Sequence, residues 1–233
     1  RLVDRVDFTP HTTEAAYFDA AIYLGFGAQI SAPHVHAHAL RLLLAKPLAS
    51  APLRILDVGS GSGFACAVLG RLLQQLRPGC SESSVLAVEH IPELAERARE
   101  NIAQRHSDLL ASGKVQLRCT DGRTLLQQHP ELCGSFGAVH CGCAVAPGDE
   151  GWILSALAAG GRAVFPRGAA DEPQCLYLAE MPAEGGAASL QKADVAVLYV
   201  PATSAMEQQE RGKHWDEVVE RCRRNAAAAF CEG

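Results

Sequence analysis

Apolar positions along this chain change period several times, and the changes mark where strands give way to helices. Arg54-Ile55-Leu56-Asp57-Val58 is a short, nearly continuous apolar run, the pattern of a strand buried on both faces. It runs into the alternating glycines of 59–63, after which FACAVLGRLLQQL (64–76) has helical spacing. VLAVEH (85–90) repeats the strand pattern, and PELAERARENIAQRH (92–106) is a helix with proline in its first turn and charges along its outer face. VQLRCTDG (115–122) and FGAVHCGCAV (136–145) read as a third and a fourth strand, ILSALAAGG (153–161) as a helix stopped by glycine, and RAVFPRG (162–168) as a fifth strand. Upstream, HVHAHALRLLLAKPL (34–48) places Ala37, Leu40 and Leu44 on one helical face before Pro47 stops it. Residues 1–30 show no clean period and read as loop with a helical turn. Downstream, CLYLAEM (175–181) and VAVLYVP (195–201) flank the polar PAEGGAAS and read as an antiparallel edge pair.

Strands alternating with helices predict an α/β fold, a doubly wound and mostly parallel sheet with helices on both faces. At 233 residues the chain is expected to form a single domain. Within it, 1–36 is a cap segment, 52–208 the cofactor-binding core and 209–233 a helical tail. Charge then narrows the choice of partner. With 21 Lys plus Arg against 26 Asp plus Glu, the net charge of −5 supplies no global field for a polyanion, so nucleic acid is not the expected partner. Arg221, Arg223 and Arg224 sit with Glu217 and Glu220 in a helical pattern and read as a solvated face. No apolar run is long enough to span a bilayer, and the opening RLVDRVDFTP lacks the order of a signal peptide, so no membrane role and a cytoplasmic location are expected. Nine cysteines, with no CxxC pair, read as reduced thiols.

The chemistry concentrates at strand ends. Three alternating glycines between a strand and a helix let the backbone pass close to a nucleotide or adenosyl ligand. The dinucleotide fingerprint GxGxxG fails in either register, because glycine would be required at Phe64 or Cys66, and there is no GxxxxGK. Two acids follow the geometry of S-adenosylmethionine better: Asp57 before the loop suits its cationic amino-acid end, and Glu89 at the next strand end suits its ribose diol. Asp121 and Gly122, after the third strand, supply a short acceptor and a backbone amide for the adenine edge. His34, His36 and His38 form an HxHxH pattern, but only His34 and His38 share a helical face and no carboxylate is nearby in sequence, so no metal is expected.

At this point a resemblance becomes specific. Gly25-Phe26 and Ile30-Ser31-Ala32-Pro33-His34-Val35-His36-Ala37 closely resemble the signature of protein-L-isoaspartate O-methyltransferases. LDVGSGSG, VEHIPEL, DGR, LAAGGR and LYVPAT match the same family in the same order, from about Asp4 to Gln208. The resemblance implies a seven-stranded Rossmann-like methyltransferase sheet, a monomer, S-adenosyl-L-methionine as cofactor with S-adenosyl-L-homocysteine as product, and isoaspartyl-containing proteins and peptides as substrates. It also implies Ser31 as the catalytic residue at the methyl-acceptor site, with Ala32 and His34 beside it on the substrate. Leu24, Gly25, Phe26, Gly27, Gly59, Ser60, Gly61, Glu89, His90, Asp121 and Gly122 match cofactor-contacting positions, and Thr203 and Gln208 match late residues that close over the cofactor. The chain departs from the family at CGCAVAP, where the usual run is alanine-rich and one residue shorter.

The chemistry implied needs no strong base, since a side-chain carboxylate is already ionised at neutral pH. Alignment and exclusion of water would supply the rate. Two rivals remain on sequence grounds: a methyltransferase of the same fold acting on a small molecule or RNA, and a cofactor-binding interaction module without activity.

Overall fold

The computed structural model describes residues 2–10, 13–46, 48, 52–170, 172–213 and 216–217. After a 3-10 turn at Arg5–Phe8 and a short helix α1 (Thr13–Tyr17), a hairpin pairs β1 (Ile22–Gly25) with β2 (Ala28–Ile30). Then come α2 (Pro33–Leu43), β3 (Arg54–Val58), α3 (Phe64–Leu76), β4 (Ser84–Glu89), α4 (Pro92–Ala111), β5 (Val115–Cys119) and α5 (Gly122–Gln128). The chain continues through β6 (Phe136–Cys141), α6 (Gly151–Ala156), β7 (Leu157–Arg167), β8 (Gln174–Glu180) and β9 (Ser189–Val197). Residues 205–213 are again helical.

β3 to β9 form one seven-stranded sheet in the order β5-β4-β3-β6-β7-β8-β9. The first five strands in that row pair in parallel, and the last two join antiparallel. The expected α/β class, doubly wound and mostly parallel with seven strands, is what the chain adopts. Its order turns back between β3 and β6, and the carboxyl ends of strands at such a reversal are where open sheets bind ligands.

Side chains alternate across the strands, and each face has its own core. Ile55 and Val85 pack with Leu43, Leu69, Leu73 and Leu94 under α2, α3 and α4. Leu56, Val58, Leu86 and Val88 pack with Leu125 and Ile153 under α5 and α6. Asp57 therefore shares the face of Ile55, away from the face of Val58.

Several elements differ from their sequence-based expectation. Of ILSALAAGG only the first four residues are helical, because α6 stops at Ala156 and Leu157 already belongs to β7. Alanine favours helix intrinsically, but here the pairing of Leu157 with Phe136 of β6 and the bonds of Gly160 and Gly161 to Pro182 and Met181 decide. The final strand lies earlier than expected: β9 spans Ser189–Val197, and Leu198 to Val200 leave the sheet. The helix opened by Pro92 runs on to Ala111 through a non-helical His106. The stretch read as loop before residue 30 contains the hairpin, whose tight turn puts Phe26 and Gly27 at φ 55 and φ 68. Both central positions in the left-handed region suit the twist of a two-residue hairpin loop. Arg221 to Arg224 and the alanine-rich RNAAAAF lie outside the described residues.

Candidate active site

A cavity of about 700 Å³ opens over the carboxyl ends of the parallel strands. That is room for a drug-sized ligand. From the sheet side it is lined by Val58, Gly59 and Gly61 after β3, Val88, Glu89 and His90 at the end of β4, Asp121 to Arg123 after β5, and Gly142 with Cys143 after β6. The other side comes from Tyr23, Gly27, Ser31, Ala32 and His34, together with residues 198–203, Gln208 and Arg211. The expected site residues thus converge from distant parts of the chain. Leu24, Gly25, Phe26, Asp57 and Ser60 are the ones that do not line the cavity.

The glycine loop is fixed from below. The Gly59 and Ser60 amides donate to the Val88 carbonyl oxygen at 2.9 and 3.1 Å, tying β3's exit to β4. Glu89 is 5% exposed, and its two carboxylate oxygens accept from the backbone amides of Gly61 (2.9 Å) and Ile91 (3.1 Å). A carboxylate has room for further donors on each oxygen, so this one shapes the loop and still offers acceptors to a diol. Gly59 and Gly61 have φ 73 and φ 52, conformations glycine adopts without penalty. A Cβ on Gly61 would meet the Leu24 side chain at 3.6 Å and the Gly59 carbonyl oxygen at 4.0 Å, ordinary contacts, so this part of the loop is held by backbone conformation and not by crowding.

Asp57 is fully buried, and alternation directs it behind the loop toward α2 and α3. A direct grip on a ligand was expected of it, but its Oδ1 pairs with Nδ1 of buried His140 at 2.6 Å. Its Oδ2 makes no hydrogen bond. On the same face lie Cys66, whose thiol is pushed well up by burial and then by the Asp57 charge, and His36, which burial and the charges of His140 and Arg5 push down to about 3.

Asp121 does line the cavity, but much of its side chain is engaged. Arg123 donates to it through Nη2 at 2.6 Å and Nε at 3.1 Å, and also to the carbonyl oxygens of Ala202 (3.1 Å) and Thr203 (2.8 Å). Burial opposes the Asp121 charge, yet the hydrogen bonds from Arg123 outweigh it and hold the carboxyl below the usual carboxylate range. Asp121 and Arg123 thereby clasp the 199–203 segment over the site. Arg123 belongs to the DGR motif, whose sequence alone does not indicate this role.

The cap is closed by Gln208. Its Nε2 donates to the Phe26 carbonyl oxygen at 3.2 Å, and its Oε1 accepts from His90 Nε2 at 2.8 Å. A Cβ on Gly27 would fall 2.7 Å from the Gln208 carbonyl oxygen, so only glycine fits at this crossing. Tyr23 adds a second tie, accepting from the Gly27 amide at 3.1 Å and donating to Asp216 at 2.7 Å.

Ser31 follows β2 and precedes α2, half-buried at the cavity wall. Tyr199 lines the same wall, and burial pushes its pKa up to about 12 while the Ser31 side chain opposes the rise. Ala32 has no side chain to cap α2. Asp19 substitutes for it, accepting from the His34 amide at 3.2 Å and from its Nδ1 at 2.8 Å, and so fixes the ring at the rim. Tyr199, Trp152 and Asp19 are lining residues that sequence reasoning missed. Among the described residues no three metal-ligating side chains cluster.

A glycine loop and an acid at successive strand ends of a doubly wound sheet, beneath a cap, define the adenosyl-binding α/β class. The comparisons make the assignment finer. The family model protein-L-isoaspartate(D-aspartate) O-methyltransferase (PCMT) matches residues 1–207, and the chain belongs to that family. It is 34% identical over 209 residues to protein-L-isoaspartate O-methyltransferase of Caenorhabditis elegans, covering 90% of this chain and 84% of that one. Protein-L-isoaspartate O-methyltransferase 1 of Arabidopsis thaliana is 36% identical over 211 residues, again covering 90% and 84%. Among solved structures, a Plasmodium falciparum protein-L-isoaspartate O-methyltransferase in complex with S-adenosyl-L-homocysteine superposes with a TM-score of 0.71 at 25% identity, covering 85% of each chain.

Proposed function

We infer that this chain transfers a methyl group from S-adenosyl-L-methionine to the free carboxylate of L-isoaspartyl and D-aspartyl residues in damaged proteins and peptides, the step that initiates their repair. The observation that carries the reading is the placement of Ser31 in one cavity with Glu89 and the glycine loop. Family membership supports the substrate, and the ligand of the Plasmodium structure supports the cofactor.

The cofactor supplies a methyl group already activated on a sulfonium. Glu89 would accept hydrogen bonds from the ribose hydroxyls, Gly59 and Gly61 would let the backbone come close, and His90, Gly122 and Trp152, which line the same cavity, would wall the remainder. Gln208 and Thr203 complete the cover from the late segment. Ser31 would hold one oxygen of the acceptor carboxylate and leave the other free to take the methyl group. That carboxylate is ionised at neutral pH, so no base is required, and orientation in a water-excluding cavity supplies the rate. The partners are isoaspartyl proteins, with the enzyme acting as a cytoplasmic monomer without nucleic acid or membrane. No helix among the described residues is long and apolar enough to cross a membrane.

The test is release of methanol, after base treatment, from an isoaspartyl peptide incubated with enzyme and labelled cofactor; absence of ester on any such peptide would refute the reading. A second expectation concerns the cofactor alone. Glu89→Ala should weaken binding of S-adenosyl-L-homocysteine by about 1.5 to 3 kcal/mol, the range for hydrogen bonds to a charged group. Calorimetric titration reads the change, and unchanged affinity would remove Glu89 from the site.

A further inference from the structure

Where β6 ends, two side chains remain that methyl transfer does not use. Cys141 and Cys143 carry free thiols, and their sulfurs lie 3.4 Å apart. Cys141 is 2% exposed, whereas Cys143 lines the cavity. Residues two apart in an extended segment share a face, which is what brings these sulfurs together. The intervening Gly142 packs directly on the cofactor loop: a Cβ there would fall 2.9 Å from the Gly59 carbonyl oxygen and 3.3 Å from that of Val58. Its amide donates to the Val58 carbonyl oxygen at 2.7 Å.

We propose that Cys141 and Cys143 form an oxidation site, joining in an intrachain disulfide that reshapes the loop side of the cofactor cavity. With hydrogen peroxide as oxidant, the two S–H bonds break and one S–S bond forms. The thiols give up two electrons, and the peroxide O–O bond is cleaved to two waters that take up the thiol protons.

Bond formation requires the sulfurs to close from 3.4 Å to about 2.0 Å. The backbone at Gly142 must turn to allow this, and it has no free space on the side of Gly59. The contraction is therefore passed to the first glycine of the loop. A ring closed across a single residue is strained, and strained disulfides are readily reduced, so the change is reversible. Its rate depends on pH. The hydrogen bond with Cys141, and then burial, push the Cys143 thiol well above its usual value. The thiolate is the reactive form, so oxidation is slow at neutral pH and quickens as pH rises.

The inference uses the cofactor reading only for its functional readout. The full chain is treated with hydrogen peroxide at pH 7 and pH 9, quenched and alkylated, and the peptide spanning both cysteines is mapped by mass spectrometry without reduction. The expected result is a loss of two hydrogens from that peptide, faster at pH 9, together with at least about a tenfold fall in affinity for S-adenosyl-L-homocysteine, a change of about 1.4 kcal/mol. Dithiothreitol should restore both. The Cys141→Ala protein, compared with itself before treatment, should keep its affinity. Alkylation of both cysteines after treatment, or a mapped disulfide with unchanged affinity, would overturn the proposal. If the reduced protein bound no cofactor at all, the failure would belong to the proposed function, and the disulfide would still be read from the peptide map.

Discussion

His140→Ala is expected to lower folding stability by about 1 to 3 kcal/mol, the cost of leaving a buried polar group without its hydrogen-bond partner. The carboxylate of Asp57 is fully buried on β3, with β4 on one side and β6 on the other. His140, itself 5% exposed, provides the 2.6 Å contact to Oδ1, while Oδ2 has no hydrogen bond to share the charge. Without the imidazole the buried carboxylate is left without its partner. Adding Asp57→Asn to the variant removes the charge and should recover part of the loss. Urea unfolding followed by circular dichroism reads all three proteins. A deficit below about 1 kcal/mol, the scale of an exposed pair, would show that Asp57 does not depend on His140.

Two peptides of one sequence, with isoaspartate or aspartate at the same position, are expected to differ on the order of a hundredfold in methyl ester formation. An isoaspartyl residue carries its free carboxylate directly on the α carbon, one methylene nearer the backbone than the aspartyl carboxylate. Ser31 stands between β2 and α2 in the same cavity wall as Tyr199, and Asp19 holds the neighbouring His34 in place. A wall so constrained would favour one placement of the carboxylate for methyl transfer. A misplacement of about 1 Å is enough for the hundredfold loss. Comparable rates for the pair would replace the repair assignment with a general carboxyl methyltransferase.

The parallel core was legible because its signals are local: apolar runs, a glycine cluster and helical spacing each declare themselves within about ten residues. What was not legible depended on partners far away in sequence. LAAGG is strand because Leu157 pairs with Phe136 of β6 and its glycines bond to Met181 and Pro182, which no window around residue 158 contains. The side of the sheet that Asp57 faces could be had from alternation with Val58, but its pairing with His140 requires knowing that β6 lies beside β3. Glu89 was readable because it stands at a strand end, next to the loop it serves. Arg123 acts through a segment some eighty residues away, Tyr199 shares a cavity wall with Ser31 far upstream, and nothing in their own neighbourhoods announces it.

The tie between Gln208 and Phe26 spans 182 positions of the chain. Strands β3 to β9 are complete once Val197 has been made, so the sheet and its helices can assemble on a growing chain before any lid exists. The hairpin at 22–30, synthesised among the first elements, must wait for almost the last described ones before Gly27 meets Gly212 and the Gln208 carbonyl. Among the described elements the lid over the site is thus the last to close during biosynthesis, and a chain halted shortly before residue 208 would carry the assembled sheet with an open, unlatched site.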